Sequence, residues 1–259
     1  MKIMKKQANN MKDLTFIFPV INLGEKKNKE ALEAAYASIG EDRTVLFVGK
    51  KEDLDLVTFK GVKKIENDGD TSYPNQVMLA VKNVTTKYFT IIEQDDLARA
   101  KWFDFVDEYL KNDNDEIFAY LPLTELIIDG NVMGYANEAF WASSFSEEIG
   151  YLDIPALEDY MNFNVHGGVF KTSEFLSVGG LKTSMKLTFW YEFLLRALYK
   201  QKRIYVIPRV GYFHNLNVEG SLTDFYTKNM PEKEADWWIE LAKKEYYFPQ
   251  DRNKTYEEE

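Results

Sequence analysis

Cysteine is absent from all 259 residues of the chain, which excludes disulfide bonds and zinc sites built on thiolates. This absence fits a reducing compartment, and we expect a cytoplasmic protein. Long apolar runs are missing as well, since none reaches the roughly 20 residues of a transmembrane helix. The charged N-terminus also lacks the apolar segment of a signal peptide. We therefore predict no transmembrane segment.

Positive charge is scarce. The chain has 32 Lys and Arg residues against 42 Asp and Glu residues, which gives a net charge of -10. This sign argues against nucleic acid or an anionic membrane surface as the main partner. An acidic protein that handles a nucleotide phosphate needs a bridging metal. Hydrophobic residues make up 45% of the chain, which is enough for one large domain or two small ones.

Strand-like and helix-like patterns alternate through the first half of the chain. The predicted strands are residues 14–20, 44–48, 63–65 and 88–92, and the predicted helices are residues 27–39, 54–59, 73–84 and 101–112. This alternation predicts an α/β fold with a mostly parallel, doubly wound sheet flanked by helices.

The second half of the chain is less regular. Its predicted strands are residues 117–128 and 204–213, and its predicted helices are a short one from Ser173 and longer ones at 189–200 and 231–247. Pro208 interrupts the last strand, so we expect that strand near a sheet edge or a switch between sheets. No linker is long or polar enough to separate independent domains.

Three carboxylates follow the apolar strand 88–92 within four positions: Glu93, Asp95 and Asp96. Carboxylates this crowded repel each other unless a cation lies between them, and their oxygens suit a hard divalent cation. The carboxyl ends of strands in open α/β sheets are also where ligands bind. The cluster indicates a metal and a phosphate-bearing ligand. The alternative is an acidic loop that only keeps the strand end soluble.

Four segments in this order resemble family 2 glycosyltransferases with the GT-A fold. They are Pro19-Val-Ile-Asn22, the strand and carboxylates at 88–96, the glycine-containing pieces His166-Gly-Gly-Val-Phe170 and 175–180, and the closing helix, strand and Gly-Ser-Leu tail at 191–222. The resemblance covers residues 14–222. It implies a nucleoside-diphosphate sugar as donor, a glycan or other hydroxyl compound as acceptor, and Mn²⁺ or Mg²⁺ as cofactor.

The resemblance also implies the site residues. The metal is assigned to Glu93, Asp95, Asp96 and His214, and the nucleotide sugar to Pro19, Asn22, Asn75, Gln76, Glu93, Asp95, His166, Gly167 and Gly168. Simpler roles stay open for several of them. Asn22 could have no role beyond satisfying the hydrogen bonds of its own turn, and Asn75 could be a helix N-cap. Either histidine could have no role beyond a hydrogen bond to the backbone.

The chain departs from the family pattern at the general base. Phe189 and Trp190 occupy the positions of the usual acidic pair, and the nearest carboxylate is Glu192. We predict Glu192 as the base that takes the proton of the acceptor hydroxyl. The alternative is a helical ion pair with Arg196, four residues on. In that case a carboxylate of the middle segment would have to reach the site: Asp153, Glu158 or Asp159.

The predicted function is metal-dependent transfer of a hexose from a UDP-sugar to a hydroxyl acceptor with inversion of configuration. The alternatives are a non-catalytic GT-A-like sugar-binding or structural module, and a nucleotidyltransferase, which should carry a glycine-rich basic loop. Lys26 and Lys27 near Gly24 are a poor version of that loop. We expect one domain over residues 1–230, with 1–112 as the nucleotide-binding half and 113–230 as the acceptor side. A C-terminal helix and acidic tail, 231–259, follow.

Overall fold

A computed structural model describes residues 13–112 and 116–257. The charged N-terminal residues and the last two residues of the acidic tail lie outside this range. The strands are β1 (Leu14–Pro19), β2 (Thr44–Gly49), β3 (Lys63–Glu66), β4 (Tyr88–Ile91), β5 (Leu97–Ala98), β6 (Ile117–Ile128), β7 (Asn131–Ala136), β8 (Val169–Lys171) and β9 (Arg203–Asn215).

The helices agree with most of the predicted ones. They are α1 (Lys26–Ser38), α2 (Lys51–Leu56), α3 (Tyr73–Lys82), α4 (Ala100–Asn112), α5 (Ile154–Asp159), α6 (Thr172–Val178), α7 (Phe189–Tyr199), α8 (Leu222–Asn229) and α9 (Glu232–Glu245). Helix α2 begins three residues before its predicted start, because Glu52 and Asp53 lie in its first turn, where the helix dipole favours acidic side chains. In the described part of the chain, no helix has the length and apolar character needed to cross a bilayer.

The strands form one curled sheet in the order β3-β2-β1-β4-β8-β6-β9-β5, and β7 pairs with β6. Strand β1 is parallel to β2 and to β4, as predicted. Strand β8 is antiparallel to both of its neighbours. The result is a mixed α/β fold with a mostly parallel sheet flanked by helices.

Both faces of the sheet are buried, which explains why its central strands read as continuous apolar runs. In β1, Phe16, Ile17 and Phe18 are each fully buried. Ile17 belongs to the core under α3, α6, α7 and α9, whereas Phe16 and Phe18 face α1 and α4.

Pro208 lies at an irregularity of β9, the strand that pairs through Tyr212 and Phe213 with the short outermost strand β5. Pro122 of β6 pairs with Ile207, but the next residue of β6 pairs with Val210. Pro208 and Arg209 are therefore skipped in the register, which spares the sheet the hydrogen bond that proline cannot donate. This position agrees with the expectation of a strand close to the sheet edge.

Candidate functional site

A cleft of about 550 Å³ opens where the carboxyl ends of β1 and β4 meet the end of β9. Seven of the predicted site residues line it: Pro19, Asn22, Gln76, Glu93, Asp95, His166 and His214. Among the described residues, its lining contains no lysine and no arginine. An anionic ligand in this cleft would therefore need its positive charge from another source.

Asp96 lies directly behind the cleft and is 1% exposed. Its Oδ2 is 2.8 Å from His214 Nδ1, and its Oδ1 accepts a hydrogen bond of 2.8 Å from the Asn215 backbone N–H. Both oxygens are thus engaged by β9. This arrangement fixes the imidazole of His214 through Nδ1, so Nε2 is the ring nitrogen left for a ligand, as in carboxylate–histidine pairs behind metal ions.

Asp95 and His214 are cleft residues with shifted pKa values. Burial lowers the pKa of His214, but the hydrogen bond to Asp96 and the surrounding carboxylates outweigh it and raise the pKa overall. Burial, Asp96 and Glu93 raise the pKa of Asp95 to about 7. The Asp95 carboxylate thus has too little positive charge around it to balance its own negative charge and that of its acidic neighbours. A bound divalent cation would supply that charge.

His166 lies close to Asp96 and His214. One ligand atom each of Asp96, His166 and His214 lies within 4.8 Å of the other two. His166 Nε2 is also 3.0 Å from Glu93 Oε1 and 3.0 Å from the Tyr73 hydroxyl. His166 therefore links Glu93 to the pair formed by Asp96 and His214.

Tyr73, at the start of α3, is a cleft residue that the sequence analysis missed. Its hydroxyl donates a hydrogen bond to Glu93 Oε1. Burial and the neighbouring Glu93 hold the pKa of Tyr73 well above its ordinary value, so the phenol stays protonated as a donor. The Glu93 carboxylate is consequently held by Tyr73 and His166.

Gln94, between the carboxylates, was also missed. Its side-chain Oε1 accepts a 2.9 Å hydrogen bond from the Ile21 backbone N–H, and its Nε2 donates a 3.0 Å bond to the Ile21 carbonyl. This amide pair ties the acidic loop to the loop after β1. Asn22, next to Ile21, lines the cleft in a left-handed conformation with φ of 55°.

Gly167, Gly168 and Asn75 are predicted ligand contacts that the structure does not bring into the lining of the cleft. A Cβ on Gly167, whose φ is +71°, would lie 2.6 Å from a Tyr212 ring carbon, and one on Gly168 would lie 2.7 Å from the Val165 carbonyl oxygen. The two glycines serve close packing instead. The Asn75 side chain bonds to Asp70 and Ser72 on the surface, and Ser72 rather than Asn75 is the N-cap of α3.

The position of Glu192 contradicts the prediction that it is the general base. Its side chain is fully buried and receives two 2.8 Å hydrogen bonds from Arg196, with Lys182 Nζ 2.9 Å away. The phase of α7 explains this, because Phe189 and Trp190 point into the cleft and Glu192 turns to the core. The alternative of an ion pair with Arg196 is the correct one.

The three carboxylates named as alternative bases, Asp153, Glu158 and Asp159, also lie away from the cleft. Asp153 caps α5 by accepting a 2.7 Å hydrogen bond from the Ala156 N–H. Glu158 and Asp159 lie at the exposed end of the same helix and do not line the cleft.

No family model matches the sequence, and no curated protein sequence matches it either. Solved structures do match. Staphylococcus aureus TarS 1-349 in complex with UDP superimposes with a TM-score of 0.58 and 11% identity over 83% of this chain and 62% of that chain. The same protein in complex with UDP-GlcNAc gives 0.60 and 13% over 81% and 60%.

A mannosyltransferase, PcManGT from Pyrobaculum calidifontis in complex with GDP-Man and Mn²⁺, superimposes with a TM-score of 0.57 and 13% identity over 80% of this chain and 58% of that chain. The chain thus spans about three fifths of the length of these structures. At such identities the likeness shows the fold, which is the GT-A-like fold of glycosyltransferases.

Proposed function

We propose that this chain is a metal-dependent glycosyltransferase that moves a hexose from a UDP-sugar to a hydroxyl acceptor with inversion of configuration. The observation that carries the proposal is the cleft itself, which Asp95 and His214 both line and to whose lining no described lysine or arginine contributes. A diphosphate in such a site would need a cation to balance its charge. The TarS complexes with UDP and UDP-GlcNAc support a uridine nucleotide in this fold.

Asp95 and His214 would hold Mn²⁺ or Mg²⁺, with Asp96 behind His214 and Glu93 held by Tyr73. A bound ion neutralises the charge that develops on a leaving diphosphate. The complex of PcManGT with GDP-Man and Mn²⁺ supports this assignment. The loop at Pro19 and Asn22 would contact the nucleoside, as would Gln76, whose buried Oε1 has no hydrogen-bond partner among the described residues.

One observation favours a second candidate, a non-catalytic module that binds nucleotide sugars. Trp190 lies where the resemblance places the base. Among the described residues, Glu219 is the one carboxylate that lines the cleft besides Glu93 and Asp95. Glu219 is exposed and pairs with Lys27 at 3.5 Å. The proton acceptor for an incoming hydroxyl is therefore not a buried carboxylate in the usual place.

Release of UDP from UDP-hexoses, measured with Mn²⁺ and a mixture of glycoside acceptors, separates the two candidates. Acceptor-dependent UDP release is the result expected of a transferase. Tight, metal-dependent binding of the UDP-sugar without any release would favour the binding module. No binding of UDP-hexoses or GDP-hexoses would contradict both.

Asp96→Asn is expected to weaken Mn²⁺-dependent UDP binding by about 10–100-fold, the usual effect of losing a partner behind a metal ligand. The amide keeps the size of the side chain but weakens its hold on the His214 ring. Calorimetry of UDP in the presence of Mn²⁺ measures the effect, with Asp236→Asn on the exposed face of α9 as the control. Equal affinities for Asp96→Asn and the control would show that Asp96 does not orient a ligand.

A further inference from the structure

A second cavity of about 410 Å³ adjoins the cleft. We call it the side cavity; it is bounded by residues 161–166, the start of α7 and the end of β9. His166, Trp190 and His214 line both spaces. A molecule in the side cavity would therefore meet a donor sugar held in the cleft.

The two histidines, His166 and His214, are the residues of the described lining of the side cavity that can carry a charge near neutral pH. Among the described residues, its lining includes no lysine, arginine, aspartate or glutamate. Its lining includes the uncharged polar residues Asn162, Asn164 and Thr188. A phosphorylated or otherwise anionic acceptor would find no lysine or arginine in the described lining, in a protein whose net charge is -10.

Aromatic rings supply much of the remaining wall. Phe163 lies against Tyr191 with ring centroids 5.9 Å apart and an interplanar angle of 20°. Trp190 stacks on Phe170 at 5.9 Å and 26°. Rings braced in this way keep their orientation when a ligand packs against them, and a pyranose offers an apolar C–H face that suits such packing.

The polar wall is equally well fixed. The backbone N–H of Asn164 donates to Asn137 Oδ1 at 3.0 Å, and Asn137 Nδ2 donates to the Asn164 carbonyl at 2.8 Å. Asn164 Oδ1 in turn accepts a 2.7 Å hydrogen bond from the His166 N–H. An amide held this rigidly can select among hydroxyl positions of a neutral ligand.

We propose that the side cavity binds the acceptor and that the acceptor is an uncharged sugar ring presented as a glycoside. This inference rests on the proposed transferase function. The ring lies against the aromatic wall, the amides bond its hydroxyl groups, and one hydroxyl points to the donor site near His166. The volume falls within the range of about 300–1,000 Å³ that small-molecule sites occupy.

Saturation-transfer NMR and titration with methyl hexosides, in the presence of UDP and Mn²⁺, test the inference. We expect at least one neutral methyl hexoside to bind, and its 6-phosphate to bind at least about tenfold more weakly because the described lining offers the phosphate no lysine or arginine. Preferential binding of the phosphate, or no hexoside binding to protein that is saturated with UDP, would overturn the inference and leave the proposed function standing.

Phe163→Leu locates the bound hexoside. The substitution keeps an apolar side chain of similar bulk but removes the flat ring, so hexoside affinity should fall about fivefold while UDP affinity is unchanged. Phe248→Leu, at an exposed aromatic residue near the C-terminus, is the matched control. Thermal unfolding confirms that both variants are folded. Equal hexoside affinity in Phe163→Leu and the control would overturn the assignment, whereas hexoside binding in protein that binds no UDP would contradict the transferase function instead.

Discussion

Asp95→Asn is expected to weaken Mn²⁺-dependent UDP binding by more than about 100-fold. Loss of a residue that only hydrogen-bonds to a metal ligand already lowers metal affinity by about 10–100-fold. Asp95 is the one cleft carboxylate of the acidic loop whose side chain is not already held by a tyrosine or a histidine in the structure. The amide keeps its shape and removes the negative charge. Calorimetric titration of UDP with and without Mn²⁺ measures the loss.

Two comparisons make the Asp95 result specific. Asp236→Asn removes an exposed carboxylate from α9 and should leave UDP binding unchanged. Without metal, Asp95→Asn should unfold at the same temperature as the parent or higher, because it relieves repulsion between neighbouring carboxylates. Undiminished UDP binding in Asp95→Asn would remove Asp95 from the metal site.

Glu192→Gln is expected to lower the free energy of unfolding by about 3–5 kcal/mol, the usual cost of breaking a buried ion pair. The substitution leaves Arg196 and Lys182 without their shared carboxylate inside the core, where Glu192 and Arg196 are both 0% exposed. Arg196 also donates to the carbonyls of Val178 and Gly180 at 2.6 Å, so its displacement disturbs the glycine turn after α6. Chemical denaturation measures the change.

The matched control is Glu240→Gln, because Glu240 pairs with Lys244 at the same helical spacing on the exposed face of α9. An exposed pair of this kind contributes at most about 0.5 kcal/mol. Turnover per folded molecule should stay within a few-fold of the parent in Glu192→Gln. A stable Glu192→Gln protein whose turnover falls by orders of magnitude would restore Glu192 as the base.

The sequence predicts the sheet well because its signals are local. Apolar runs that alternate with helical patterns give β1, β2 and β4 with their connecting helices, and right-handed parallel connections then place their carboxyl ends on one edge. The same reasoning brings Glu93 and Asp95 to the cleft. Strands β5, β7 and β8 and helices α5 and α8 were missed. Helix α8, for example, buries none of its residues and offers no strong apolar period.

The contacts that finish the site join distant segments and leave no local pattern. Tyr73 and His166 are 93 positions apart, and Asp96 and His214 are 118 apart, yet each pair is in hydrogen-bond contact. Glu192 illustrates the opposite problem. The motif gives its place in the chain, but a shift of two residues along α7 turns a side chain from the cleft to the core. Only the helical spacing between Glu192 and Arg196 indicates that Glu192 faces the core.

Crystals grown with Mn²⁺ and UDP and measured at the manganese absorption edge give the most direct answer. An anomalous peak bonded to Asp95 and His214, with the UDP diphosphate on its open side and the uracil near Asn22, is the predicted result. A peak at another place in the molecule, or UDP bound in the cleft with no manganese beside its phosphates, would contradict metal-dependent use of a nucleotide sugar at this site.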